Sequence, residues 1–376
     1  MPVKTAPAKK TDAIKSKKGI KLRKLHIENF KAFDKLDLEF PEPRMKDDPD
    51  IVVMGSENGL GKTTVMEACA LLFLVAYYEN YTHYDALDIR QLQDLPIDLR
   101  ETFIRAGASE AIINGSFAFH NDSERWGVQL FQHGRIRPDD PGRILQHLRF
   151  GIPRSTGPSL SPSRFFASLS ALTSEPLLLP PLLYFHSYRK IQEGNPQFGM
   201  MFNTADRHYQ KSLDPNLSET PVSALKIQLL HSMMSRAGLF EDLDPKEADD
   251  VFEKMNSLLE EYAHARIEKL RSSPNNQVEL HVSQLDGGPS FAFDCLSSGQ
   301  KEIISTLFLI WHYTREQPGI VLIDEPELHL NAEWHRRLLR KIHEIAPQNQ
   351  YIVATHSEDI FGSVDENHRV LLERGG

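Results

Sequence analysis

The stretch DIVVMGSENGLGKTTVMEACALLFLVAYY, Asp50–Tyr78, decides the fold. It opens on DIVVM, a short unbroken apolar run suited to a strand buried on both faces. It closes on VMEACALLFLVAYY, apolar nearly all round a helical projection, which predicts a helix that begins near Gly61 and lies inside the domain. Between them GSENGLGKTT, Gly55–Thr64, is a glycine-rich turn in the strand-to-helix setting that a phosphate-binding loop requires. Gly59 and Gly61 permit a tight turn, so that backbone N–H groups from Ser56, Glu57 and Asn58 through Thr64 converge on phosphates, and the helix N-terminus adds its dipole. Lys62 supplies charge for the β- and γ-phosphates of ATP, and Thr63 offers a hydroxyl to Mg²⁺. The loop departs from the strict G-x-x-x-x-G-K-[ST] pattern at its first glycine, where Ser56 stands.

A loop of this kind needs carboxylates elsewhere in the chain. GIVLIDEPELHL, Gly319–Leu330, is an apolar strand ending in adjacent acids. Asp324 is placed to hold Mg²⁺ through water and Glu325 to activate the attacking water as general base. YIVATHSED follows, with His356 just beyond another strand, where an imidazole reaches a γ-phosphate. A lone histidine is ordinarily structural, and His356 gains its weight from its place after the acidic strand.

Outward from these motifs, IKLRKLHIENF and KLDLEF alternate like strands, and three stretches of strand character lie between Ala111 and Phe150, forming an antiparallel β lobe. Residues 151–181 are rich in Pro and Ser and read as an irregular connection. LLYFHSYR is a further buried strand. From Pro221 to Arg271 the pattern is helical, with too few heptads for a long coiled coil. QVELHVSQL, the helix from Ser298, GIVLID, NAEWHRRLLRKIHEI, YIVAT and RVLLE then alternate strand and helix, which predicts a largely parallel, helix-flanked sheet.

The chain has 376 residues, 40% of them hydrophobic and 25% charged, enough for one large or two coupled domains. A formal net charge of -9 excludes a polycation that coats nucleic acid, so any such contact is a local patch. One candidate is the first two dozen residues, with nine Lys/Arg against a single Asp; a solvated tail and a phosphate-tracking arm for DNA or RNA share this composition. Cys69 and Cys295, both in apolar surroundings and without metal-like spacing, point to a reducing compartment. The chain shows no membrane-crossing length of apolar residues and no secretion signal, so a cytoplasmic location is expected.

The remaining motifs carry a family resemblance. In CLSSGQKE, Cys295–Glu302, the LSSGQ run resembles the LSGGQ signature of ABC-type ATPases, with Ser298 in place of the first glycine. LRKLHIENFKAF, Leu22–Phe33, is similar to the opening strand of the SMC, RecF and OLD-like branch of that family. Gln192, in YFHSYRKIQEG, resembles the glutamine that ligates Mg²⁺ in the repair ATPases of that branch.

The resemblance implies an α/β P-loop NTPase head of ABC type, with an antiparallel β lobe, a mostly parallel core sheet and a helical insertion in place of a coiled coil. Its parts would be a basic arm (1–19), an N-terminal ATPase lobe (20–195), the insertion (196–275) and a C-terminal ATPase lobe (276–376). It also implies an ATP-sandwiched homodimer or higher homo-oligomer, in which Ser297, Ser298, Gly299 and Gln300 serve the partner's nucleotide and Lys31 contacts the chain's own. LSSGQ alone suits a plain helix cap better than a signature.

The chain most resembles compact solitary ATPases of bacterial anti-phage systems, which act with a separately encoded nuclease or toxin. No nuclease domain follows the last strand, so cutting nucleic acid is not expected of this chain alone. RecF/SMC-like DNA repair and a non-hydrolysing ATP-dependent scaffold are the alternatives. A transporter subunit fits poorly, because a β lobe, a Pro/Ser loop and helices separate Lys62 from Leu296.

Overall fold

The computed structural model describes residues 19–45, 48–55, 59–82, 87–88, 103–119, 122–131, 135–139, 177–179, 181–187, 195–196, 223–236, 245–273, 277–328 and 330–372. Residues 1–18 of the basic arm, Ser56, Glu57, Asn58, Gln192 and most of the Pro/Ser-rich stretch lie outside them.

In chain order the strands are β1 (Lys21–Phe30), β2 (Phe33–Glu39) and β3 (Ile51–Gly55), followed by helix α1 (Lys62–Thr82). Then come β4 (Leu87–Asp88), β5 (Glu110–Phe119), β6 (Asp122–Phe131), β7 (Arg135–Asp139), β8 (Leu177–Leu179) and β9 (Leu182–Phe185). The second half holds α2 (Ala224–Arg236), α3 (Pro245–Ala263), β10 (Ala265–Ser273), β11 (Gln277–Gln284), β12 (Phe291–Ala292) and α4 (Ser298–Thr314). It ends with β13 (Ile320–Asp324), α5 (Ala332–Ile345), β14 (Gln350–Ala354), a short α6 (Glu358–Phe361) and β15 (Arg369–Leu371).

One sheet runs β15-β3-β14-β13-β9-β8, parallel throughout except for the β8 edge. Its central strands are buried on both faces, and their side chains alternate between two cores, as the two-residue period of a strand demands. Val52, Met54, Leu322 and Ile352 enter the core that contains α1 and the β lobe. Ile51, Val53, Ile323 and Val353 enter the core built with α2, α3, α4 and α5.

The second sheet, β2-β1-β5-β6-β7-β4, is the β lobe. Along β5 buried and half-buried residues alternate strictly, so one face packs inward. Helix α1 is held between this face and the parallel sheet, which is why its sequence is apolar all round: Val65 to Ala76 are buried. The Trp126 indole N–H donates to the Leu72 carbonyl at 3.1 Å, so the large ring packs against α1 without an orphaned polar atom. Arg23 grips Asp50 with a two-pronged fork (3.0 and 2.8 Å), tying β1 to the start of β3.

Three expectations are corrected. The helical pattern read to Arg271 ends at Ala263: His264 takes a φ of 51°, and residues 265–273 form β10. The apolar spacing of Ala263, Ile267 and Leu270 fits a helix, but the antiparallel pairing with β11 wins. For the same reason QVELHVSQ does not join the parallel sheet; it centres a separate three-stranded sheet, β10-β11-β12. Cys295 is exposed, whereas Cys69 is buried inside α1 and its thiol is pushed up to about 12 by burial.

Candidate functional site

The site is assembled at the carboxyl ends of the parallel strands, where β3, β13 and β14 release their loops. After β3 the chain turns through Gly59 and Gly61, at φ of 80° and 89°, conformations that carry little penalty only for glycine. At Gly61 a Cβ would also lie 2.4 Å from the Phe33 ring, so the end of the β1–β2 hairpin presses on the loop and fixes it. The Val65 N–H bonds to the Gly61 carbonyl at 3.0 Å and starts α1, which carries no carboxylate in its first turn to compete for an anion. Lys62, Thr63 and Thr64 form that turn, with Lys62 and Thr64 buried and Thr63 half-buried.

The Thr63 hydroxyl donates to Asp324 Oδ2 at 2.8 Å. Asp324 ends β13 and is fully buried, so its carboxylate is kept beside the threonine by the strand itself. One hydroxyl and one carboxylate oxygen converging at a phosphate loop suit Mg²⁺, a hard cation that takes few protein ligands and completes its shell with phosphate and water. The residues present fit that ion, with Thr63 and Asp324 as the groups that would hold it.

His356 joins the two halves of the site. Its Nδ1 lies 3.2 Å from the Lys62 ammonium and its Nε2 lies 3.5 Å from Glu325 Oε1. Glu325 itself holds a φ of 47° and donates its N–H to the Ala354 carbonyl at 2.8 Å. A non-glycine residue in this region is strained, and such strain gathers where function fixes a side chain. Burial lowers the Lys62 pKa from the ordinary lysine range, and the carboxylates of Glu325, Asp324 and Glu327 offset part of that shift.

The structure therefore brings together Gly59, Gly61, Lys62, Thr63, Asp324, Glu325 and His356. Lys31, at φ 49°, lies at the β1–β2 turn and pairs its ammonium with Glu67 on the second turn of α1, 5.3 Å over the Phe103 ring. Ser297 to Gln300 sit at the start of α4. Ser297 caps that helix, accepting the Gln300 N–H at 3.3 Å while Gln300 Oε1 accepts the Ser297 N–H at 3.0 Å, and the Gln300 amide also donates to the Tyr262 carbonyl at 3.1 Å. Ser297 and Ser298 remain exposed.

Glu327 and Thr355, which the motifs did not single out, belong to the same cluster. Glu327 Oε2 accepts the Thr355 hydroxyl at 2.8 Å and Oε1 accepts the His356 N–H at 2.6 Å. The available signal was a third carboxylate two residues beyond the Asp-Glu pair, in DEPE. Its partner lies 28 residues away and is visible only once β13 and β14 pair.

Residues 57–361 match a family model described as "AAA domain, putative AbiEii toxin, Type IV TA system", and residues 24–81 match a second described as "AAA domain". The chain is 22% identical over 414 residues to the Escherichia coli protein named "Retron Ec83 probable ATPase", covering 95% of this chain and 72% of that one. It is 30% identical over 105 residues to the "Retron Vc95 probable ATPase" of Vibrio cholerae serotype O1 biovar El Tor, covering 25% of this chain and 20% of that one. Among solved structures, an SMC head bound to the C-terminal winged-helix domain of ScpA superposes with a TM-score of 0.50 at 15% identity, covering 92% of each chain. That likeness shows the fold, an SMC-head-like P-loop ATPase fold. With a family model spanning residues 57–361, the chain belongs to this family of AAA-domain ATPases.

Proposed function

We propose that this ATPase closes into a dimer around ATP, hydrolyses it with Glu325 as general base, and uses the cycle to control a separately encoded effector in bacterial anti-phage defence. The observation that carries the hydrolytic part is the joint placement of Lys62, Thr63, Asp324, Glu325 and His356, set by hydrogen bonds and short contacts at the carboxyl ends of the parallel strands. Lys62 binds phosphate oxygens, the α1 start donates N–H groups to them, and Thr63 with Asp324 holds Mg²⁺, which when bound neutralises phosphate charge. Glu325 takes the proton of the attacking water, and His356 keeps Glu325 and Lys62 in register while facing the γ-phosphate.

The dimer rests on the exposed Ser297–Ser298 helix start, which offers hydroxyl and N–H donors to a nucleotide held by another chain. A family description carrying a toxin–antitoxin label and two relatives carrying a retron label support the defence role. The effector would be a nuclease or toxin, and the basic arm a contact for DNA or RNA. Glu325→Gln should bind ATP, stall before hydrolysis and accumulate as a dimer or larger assembly. Mass photometry with ATP and Mg²⁺ tests this, and a variant that binds ATP yet stays monomeric sinks the sandwich.

A further inference from the structure

Building on the hydrolytic reading above, we propose that Glu327 is a positioning residue, whose carboxylate fixes the turn after β14 so that His356 stays between Lys62 and Glu325. The strand that delivers Asp324 and Glu325 turns at the buried Pro326 and sends Glu327 back across the end of the next strand. There its two oxygens do different things. Oε1 accepts the His356 backbone N–H at 2.6 Å, and Oε2 accepts the Thr355 hydroxyl at 2.8 Å.

Thr355 is itself pinned, since its N–H donates to the Met54 carbonyl at 3.1 Å and its hydroxyl oxygen accepts the Ser357 N–H at 2.9 Å. Ser357 in turn caps α6, with its hydroxyl 3.3 Å from His335 Nδ1 at the start of α5. The His356 imidazole, by contrast, is about one-third exposed, and its two ring nitrogens reach Lys62 and Glu325. Its place is therefore set by its backbone, and Glu327 holds that backbone with a charge-assisted bond.

A carboxylate beside the phosphate loop opposes anion binding, so it should not be there for affinity. Removing it should leave ATP binding unchanged or slightly tighter and should cost turnover. That split separates positioning from both phosphate binding and general collapse.

The test uses the full chain with Mg-ATP. Glu327→Ala should lower kcat at least tenfold while the ATP Kd stays within threefold of wild type. Glu327→Gln, which loses the charge but keeps a carbonyl acceptor for the His356 N–H, should return kcat to within threefold of wild type. On a His356→Ala background, Glu327→Ala should change kcat less than twofold, because the residue acts through that histidine. Additive losses in this cycle, or a loss of ATP affinity with kcat intact, overturn the proposal.

A wild-type chain that binds ATP without turnover contradicts the hydrolytic reading and leaves Glu327 to be judged separately, by hydrogen exchange at the His356 amide. Faster exchange in Glu327→Ala than in wild type and Glu327→Gln supports the clamp, and equal exchange in all three overturns it.

Discussion

Lys62 is buried at a helix start with Asp324, Glu325 and Glu327 around it, yet burial dominates and depresses its pKa. Phosphates arriving at the loop add negative charge that favours the ammonium, so the Lys62 pKa must rise on binding. The sign of the coupling follows. As pH climbs through the depressed pKa of the free protein, Lys62 loses its proton, ATP affinity falls, and binding takes a proton up from solvent. Calorimetry at alkaline pH in two buffers of different ionisation enthalpy should give different apparent heats. Lys62→Arg, whose guanidinium keeps its proton, should give equal heats if it binds. Equal heats in the wild type refute the coupling. Lys62→Ala should abolish ATP binding altogether.

At the scale of elements, α4 carries two readings of one sequence. LSSGQ caps a helix, and the Ser297–Gln300 box shows that it does; in the proposed dimer the same exposed serines face a second chain. Substitution separates the roles. Ser297→Ala removes the cap and should cost about 1 kcal/mol of stability in denaturant unfolding. Ser297→Asp keeps a capping oxygen, so stability should hold, but it sets a carboxylate against the partner's phosphates and should abolish the ATP-dependent dimer of Glu325→Gln. A Ser297→Asp chain that still dimerises removes the signature from the interface.

The elements also show what was legible. GSENGLGKTT and GIVLIDEP were readable because a phosphate loop and a buried acidic strand each need a fixed local order of residue types. The helix to Arg271 was misread because Ile267 and Leu270 satisfy a helical period, while the hairpin partner that overrules it lies beyond Ser273. Glu327 escaped for a related reason: a carboxylate that clamps a turn on the neighbouring strand leaves no mark in its own segment.

For the molecule as a whole, the β lobe and the parallel sheet are joined by α1 and by a small charged knot. Lys21 on β1 donates to the Gln348 carbonyl at 2.7 Å and lies 3.7 Å from Asp50, which the Arg23 fork already holds. Burial lowers the Lys21 pKa to about 8, Arg23 adds repulsion, and Asp50 offsets only part of both. The folded state thus disfavours the Lys21 proton that the unfolded chain keeps until about pH 10.4. Below about pH 8 the whole penalty is present; between these two values the unfolded state binds more protons, so stability rises with pH. From pH 7.5 to 9.5 the Lys21 contribution should grow more favourable by on the order of 2 kcal/mol. Other groups titrate in the same range, so the comparison is with Lys21→Met, which keeps the apolar stem and removes the charge. Urea unfolding across that range should show wild type gaining on the variant as pH rises. Two profiles that stay parallel refute the depressed Lys21 pKa.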